Sequence, residues 1–368
     1  MYLSSLKLNN WRNYASFKRR FLNKTVVFVG ENAVGKTNLI EAIRFLSLFK
    51  SFRGQRAQDL IKWQAEFARV NGEIADDQVR HDIVGVLEDN PETNRAKRLV
   101  QINGAKRPTR QAVGQLLTVL FSPDDIQLIS SSPNKRRKYL DAVIGQLNRR
   151  YHEALLDYQR ALEQRNALLS GDNSQAQIAI WDEQLAKSGG RLLKERSAYI
   201  ENLNAKLSNI YQSLGGQGDL EIVYQPNLRL PGLETLLAES ELAKLLQKSL
   251  QANFQKDCYL ETTSGGPHRD DFIFELRKKN IATHGSRGEF RSAVLALKLA
   301  EKEYIAQATK KTPVLLLDDV FSELDQNHRR ALSAQVQKTQ TFITTTDLDS
   351  LAPELVAQAE IIKLPNKT

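Results

Sequence analysis

The feature that most restricts how this chain can fold is the segment Gly30-Glu31-Asn32-Ala33-Val34-Gly35-Lys36-Thr37, with Asn38 next. It fits G-x-x-x-x-G-K-[ST]. The apolar run Val26-Val27-Phe28-Val29 precedes it, and Leu39-Ile40, Ala42-Ile43 and Leu46 follow at helical spacing. Strand, glycine-rich turn and helix in that order make a phosphate-binding loop. The glycines allow backbone N–H groups to turn inward, and the helix N-terminus adds positive potential. Lys36 can reach the β- and γ-phosphates, and the Thr37 hydroxyl can ligate Mg²⁺. The expected nucleotide contacts are therefore Gly30, Glu31, Asn32, Ala33, Val34, Gly35, Lys36, Thr37 and Asn38. ATP with Mg²⁺ is the expected cofactor, and Lys36 is an expected catalytic residue.

A phosphate loop needs a carboxylate beside it. Val314-Leu315-Leu316-Leu317 is a continuous apolar run, as in a strand buried on both faces, and it ends in Asp318-Asp319. Asp318 is expected to hold Mg²⁺, directly or through water, and Asp319 to polarise the attacking water as general base. Ser286-Arg287-Gly288-Glu289 stands before a long apolar-striped segment (Phe290, Val294, Leu297, Ala300, Tyr304). A serine hydroxyl, a glycine N–H and a helix start form a second anion cradle, although the tetrapeptide alone is equally an ordinary helix cap. After the acidic strand come Ser322-Glu323-Leu324-Asp325 and the strand Thr341–Thr346.

The rest of the chain supplies the setting. Its 368 residues suggest two or three domains, at about 150 residues each. Leu6 and Leu8, Val79–Leu87 and Leu99–Ile102 read as strands, the last entering a hairpin at Asn103-Gly104. From Pro133 to Leu214 the pattern is helical: Leu147, Tyr151, Leu155, Tyr158 and Leu162 form one stripe, and Leu185, Leu192, Leu193, Leu203, Leu207 and Ile210 a second. Gly171-Asp172-Asn173-Ser174 separates them, which predicts two antiparallel helices in a short arm. Strand signals return at Leu220–Tyr224 and Phe272–Leu276, with a helix expected over Leu233–Asn253. The expected fold is α/β: a P-loop ATPase head of mixed sheets with flanking helices, formed by 1–129 and 218–368, and an inserted helical arm domain over 130–217.

These motifs, in this order, resemble the RecF family of SMC/Rad50-like ABC ATPases. The likeness is carried by Leu8–Tyr14, Phe121–Asp125, Ser132-Pro133 with Arg136-Arg137 and Leu140-Asp141, Gly266-Pro267-His268-Arg269-Asp270-Asp271, Ala293–Glu301 and Leu316–Asp325. The resemblance implies an ATP-dependent homodimer that binds DNA gaps or single-/double-stranded junctions without sequence specificity. It also implies RecR-like and RecO-like partners in directing recombinase loading. It gives Ser286, Arg287 and Gly288 a role in trans on the partner's nucleotide, and places Arg12 near the phosphates in cis. Three positions depart from the family pattern. Arg287 and Glu289 replace signature glutamines, Asp319 stands where long-armed relatives have Glu, and Ser122-Pro123 stands near the usual glutamine. The last two imply slow hydrolysis.

Charge agrees with a polyanionic partner: 52 basic against 43 acidic residues give +9. Nucleic acid or an anionic membrane would satisfy it. Basic clusters occur at Arg95-Lys97-Arg98, Lys106-Arg107-Arg110, Lys135-Arg136-Arg137-Lys138 and Arg149-Arg150. With no base-reading motif in sight, shape or junction recognition is expected. His268 reads either as catalytic or as a loop residue bonded to backbone; no ligand-spaced Cys or His suggests zinc. One cysteine, Cys258, and no signal or membrane-length apolar run suggest the cytoplasm and no membrane partner. A P-loop kinase with a small acceptor and a transporter ATPase subunit are the competing classes. The kinase leaves the signature and the segment after Asp319 unexplained, and the glutamine and switch histidine typical of transporter subunits do not stand where expected.

Overall fold

The computed structural model describes all residues except 23, 55, 77–78, 91, 94–95, 172–173, 229–236 and 366–368. The chain forms two compact units. The first comprises Met1–Asp125, Ser213–Gly215 and Leu295–Thr368, and the second Ile126–Gln212 and Gly216–Val294.

The first unit begins with strands β1 (Tyr2–Trp11), β2 (Tyr14–Arg20) and β3 (Thr25–Val29), then the helix Lys36–Leu48. Strands β4 (Phe67–Ala75), β5 (Arg80–Glu88), β6 (Lys97–Ile102), β7 (Ala105–Arg107) and β8 (Thr118–Phe121) follow. The strands of the second unit are β9 (Leu220–Gln225), β10 (Asp271–Leu276) and β11 (Lys279–Asn280). The chain then completes the first unit with β12 (Val314–Asp318), β13 (Thr341–Thr345) and β14 (Glu360–Lys363).

The apolar runs at Val26 and Val314 dictate the central layer. Such strands bury both faces, which suits a parallel sheet. They lie in a five-stranded sheet ordered β14-β3-β13-β12-β8, with every pairing parallel. The alternating segments instead build a six-stranded antiparallel sheet, β2-β1-β4-β5-β6-β7. Its inward residues Leu6, Leu8, Val70, Ile83 and Leu87 share one core with Ile40, Phe45, Phe28 and Leu316. The Lys36–Leu48 helix lies close on this sheet: a Cβ at Gly72 would meet Leu46 Cδ1 at 2.4 Å, and one at Gly85 would meet Phe45 Cε1 at 2.5 Å. Gln340 joins β1 to the parallel layer, accepting from Leu3 N at 2.7 Å and donating to Leu3 O at 2.8 Å. Asn103 and Gly104, at φ 50 and 76, form the expected turn between β6 and β7.

In the second unit the first helical stripe is two helices, Pro133–Leu147 and Arg149–Leu169. The break falls at Asn148, whose side chain accepts from Tyr151 N at 3.1 Å and caps the second helix. A 39-residue helix, Gln175–Ser213, runs antiparallel to it. Arg165 meets Asp182 at 2.6 Å, and Arg196 donates to the Tyr151 hydroxyl at 3.0 Å, so rising numbers on one helix meet falling numbers on the other. Of the expected separator, Asp172 and Asn173 lie outside the described residues. The later helix covers Glu239–Ala252, and the expected start at Leu233 also lies outside them.

This unit is larger than an arm over 130–217, because residues 216–294 group with it. Strands β9, β10 and β11 form a separate antiparallel sheet. Arg136 clamps Asp271 at the start of β10 (2.6 Å), and buried Arg196 takes Asp270 (3.1 Å) and Asp141 (2.8 Å). The helix Arg287–Thr309 begins here and ends in the first unit. Among the described residues no helix is long and apolar enough to cross a membrane.

Candidate nucleotide site

The parallel sheet brings the two strongest motifs together. β3 ends at Val29 and β12 at Asp318, with β13 between them in the same direction. Their C-terminal ends therefore lie side by side. After β3 the chain turns through Ala33 (φ 67) and Gly35 (φ 112) into the Lys36–Leu48 helix. Asn38 N and Leu39 N donate to Gly35 O (3.0 and 3.3 Å), and the N–H groups of Lys36 and Thr37 at the helix start are the ones left for an anion. Lys36 Nζ donates to Gly30 O (2.6 Å) and Glu31 O (2.8 Å), spanning the loop. Burial pulls the Lys36 pKa down, and the charges of Asp319 and Asp318 oppose that.

Asp318 is buried and shares one oxygen between two hydroxyls. Thr37 Oγ1 donates to Asp318 Oδ1 at 2.9 Å and Thr344 Oγ1 at 2.8 Å. Burial raises the Asp318 pKa; the Thr344 and Thr37 bonds and the Arg53 charge lower it, and Asp319 raises it further. A buried carboxylate beside a hydroxyl and a second carboxylate is a donor set for a hard cation. Thr37 and Asp318 thus fit Mg²⁺, as their residue types suggest. Asp319 sits at φ 53, its N–H bonded to Thr344 O (3.2 Å) and Thr344 Oγ1 (2.9 Å). Ser322 donates to Asp319 O at 2.8 Å. Thr344 thus fixes both acids, a role its strand position alone did not reveal.

The tip of the β1–β2 hairpin supports the loop from behind. Asn13 Nδ2 donates to Val34 O (2.9 Å), Tyr14 OH to Gly35 O (3.1 Å), and Asn38 Nδ2 to Asn13 Oδ1 (2.7 Å). Trp11 Nε1 donates to Asn38 O at 3.0 Å. Burial raises the Tyr14 pKa, so its proton stays on the bond to Gly35. Asn38 is thus a joint beneath the loop. Arg12 is engaged beside it: its guanidinium pairs with buried Glu41 at 2.8 and 3.0 Å and donates to Asp59 O at 2.6 Å. Arg53 lies 3.3 Å from Asn38 Oδ1, and its charge acts on Asp318. No motif marked Arg53 or Glu41.

In the second unit, Ser286 and Glu289 form a reciprocal cap. Ser286 N and Oγ donate to Glu289 Oε2 (2.8 and 3.0 Å), and Glu289 N donates to Ser286 Oγ (3.2 Å). Those bonds hold the Glu289 carboxyl below its usual pKa. A Cβ at Gly288 would meet nothing nearer than Ser286 Oγ at 3.9 Å, and Arg287 beside it is exposed. Elsewhere, Asp325 caps the Gln326–Val336 helix, accepting from Asn327 N (2.9 Å) and His328 N (3.0 Å).

His268 proves structural. Tyr158 OH donates to Nδ1 (2.7 Å), and Nε2–H donates to the Thr263 carbonyl (3.0 Å), which assigns the neutral Nε2–H tautomer. Burial lowers its pKa to about 4. Of the basic clusters, Arg136 and Arg137 are spent on Asp271 and the Asp270 carbonyl, and Arg149 on Glu153. Arg98 is half-buried, and Arg95 lies outside the described residues.

The chain matches the family described as RecF/RecN/SMC N terminal domain over residues 2–361. The "DNA replication and repair protein RecF" of Bacillus cereus (strain G9842) is 35% identical over 375 residues, covering 100% of this chain and 98% of that protein. The protein of the same description from Bacillus cytotoxicus is 35% identical over 373 residues, with 100% and 98% covered. The solved "recombination mediator protein RecF-ATPrS in RecFOR pathway" superposes with TM-score 0.87 at 34% identity, covering 95% of this chain and 94% of that one. An SmcHead structure, 18% identical with TM-score 0.53 over 99% and 94% of the chains, shares the fold.

Proposed function

Since the chain belongs to the RecF/RecN/SMC N-terminal domain family, we propose that it is an ATP-switched, DNA-binding protein of recombinational repair and replication-fork maintenance, with weak ATPase activity. The observation that carries this reading is the single oxygen of buried Asp318 shared by Thr37 and Thr344 beside the phosphate loop. It supports the reading because the Thr37 hydroxyl, the Asp318 carboxylate and the adjoining Asp319 meet at the end of one parallel layer, as a Mg²⁺ site requires.

The loop Gly30–Asn38 holds the triphosphate through backbone N–H groups and Lys36. Thr37 and Asp318 hold Mg²⁺, which when bound neutralises charge on the phosphate oxygens. Asp319 polarises the attacking water. Ser286, Gly288 and Arg287 of one subunit close the nucleotide of the other, so ATP joins two copies and hydrolysis separates them. In that arrangement a γ-phosphate competes with Glu289 for Ser286, since the carboxylate already accepts from it. The dimer binds gapped or junction DNA without sequence specificity and works with RecR-like and RecO-like proteins in the cytoplasm. We assign the head role to the unit carrying β3, β12 and β13.

The test is light scattering of wild type and Ser286→Arg, with and without ATP and gapped DNA. ATP is expected to dimerise wild type alone, and its DNA affinity to rise with dimerisation. Two monomeric proteins with ATP bound and DNA binding unchanged would refute the switch.

A further inference from the structure

The six-stranded sheet has one face on the core, and its other face is open at the β2, β1 and β7 strands and at Arg69, while Val84 at its middle is buried. Side chains alternate between the faces of a strand, so the buried positions of Leu6, Leu8, Val70, Ile83 and Leu87 identify the outward residues. The register then lines these up across the sheet. One row reads Lys18, Lys7, Asn71, Val84, Gln101, Lys106. The next reads Ser16, Asn9, Arg69, Val86, Leu99. Neither row contains a carboxylate, and the cations Lys7, Lys18, Arg69 and Lys106 are all exposed; the carboxylates of this face stand outside the two rows, Glu73 and Asp82 on one side and Glu88, opposite Phe67, on the other. Six strands at about 4.8 Å make a row of about 24 Å. Lys7 is directly opposite Lys18, a like-charge pair that weakens a sheet. A polyanion lying across the rows would relieve that repulsion.

Two exposed aromatics stand at the start of β4. Phe67, outward on β4 and two residues from Arg69, is 42% exposed. Trp63, in the turn leading into β4, is 85% exposed. That turn is anchored: Lys62 N donates to Asn10 O (2.8 Å), and Ala65 N donates to Lys62 O (2.9 Å). An indole displayed in water from a fixed turn that leads into the strand carrying Phe67 and Arg69 is a base-stacking platform.

We propose that this sheet face, with Trp63 at its edge, binds single-stranded DNA. Phosphates run along Lys18, Lys7 and Arg69, and unpaired bases stack on Trp63 and Phe67. A duplex, with its bases already stacked, uses the cations alone. The inference rests on the DNA-binding reading above and specifies the surface and the strand state.

The test uses the full chain with ATP and compares a twenty-residue oligothymidylate with a blunt duplex of equal length. Trp63→Ala is expected to weaken oligothymidylate binding by about tenfold, within the range for one lost stack. Trp63→Phe should restore most of it, and duplex affinity should stay unchanged. Lys7→Gln with Lys18→Gln should reduce the salt slope on the single strand by about 1.4. All of these side chains are exposed, and ATP affinity checks the fold. If wild type binds the oligothymidylate and the variants match it, the surface is wrong while the DNA-binding reading stands. If Trp63→Ala weakens duplex and single strand equally, the stacking assignment is overturned. If wild type with ATP binds no DNA of any form, the DNA-binding reading itself fails and this proposal falls with it.

Discussion

Gly35→Ala measures how far the β1–β2 hairpin tip holds the phosphate loop in its binding shape. Gly35 has φ 112, and a left-handed backbone costs an L-residue about 1–2 kcal/mol. The new Cβ would lie 2.4 Å from Asn13 Nδ2, 2.8 Å from Asn13 Oδ1 and 2.9 Å from the Tyr14 hydroxyl. Those atoms make the bonds to Val34 O, Asn38 Nδ2 and Gly35 O. Displacing them gives up about 0.5–1.5 kcal/mol per bond. The combined effect is about 3–6 kcal/mol, or about two to four decades in nucleotide affinity. Asn13→Ala removes two of the bonds without the strain, so it should cost about one to two decades. Calorimetric titration with a non-hydrolysable ATP analogue reads both variants, and thermal unfolding checks that the core survives. A Gly35→Ala protein binding within about threefold of wild type would refute the reasoning. So would Asn13→Ala proving the more damaging substitution.

Other positions give independent checks. Asp318→Asn removes the buried anion beside Thr37, so Mg²⁺-dependent ATP hydrolysis should fall by at least about a hundredfold; turnover near wild type would remove Asp318 from the metal site. Arg165→Ala leaves Asp182 and Asp257 facing each other without their buried cation, and urea unfolding should show a loss of about 3–5 kcal/mol. His268 is held neutral with its pKa lowered to about 4 from 6.5, so the unfolded chain binds the extra proton between those values. Stability should therefore decline as pH falls from about 6.5 towards about 4, and His268→Gln should remove that part of the decline. Equal slopes for both proteins would exclude the buried imidazole as its source. Ser286→Ala takes away the reciprocal cap and should lower stability by about 0.5–2 kcal/mol in thermal unfolding, with no effect there pointing to a frayed helix start.

What could be read in the chain beforehand follows from how far apart the interacting residues are. The phosphate loop is contiguous, so strand, glycines, lysine and helix announce themselves together. Asp318 is marked by the apolar strand that delivers it. Thr344 is not, because its role exists only once β13 lies beside β12 and its hydroxyl meets an oxygen 26 residues away. Asn13 and Tyr14 drew notice through the family likeness, and only the hairpin tip shows that they brace Val34 and Gly35. The grouping of 216–294 with the helices depends on Arg136 reaching Asp271, 135 positions on, and Arg196 reaching Asp270, 74 positions on. Periodicity does not register such pairs.

Charge shows the same effect most sharply. Runs of Lys and Arg along the chain invite reading as binding patches, yet Arg136 and Arg137 are turned inward to hold the β10 loop. Lys7 and Arg69 belong to no basic run, and pleating and register bring them onto one open face with Lys18 and Lys106. A cation that finds a carboxylate within its own fold has little field left for a ligand. One paired across strands with another cation keeps its field for an outside anion. The surface that answers to a phosphate backbone is therefore found by following hydrogen-bond register across strands, and the strand order β2-β1-β4 places it where two lysines repel.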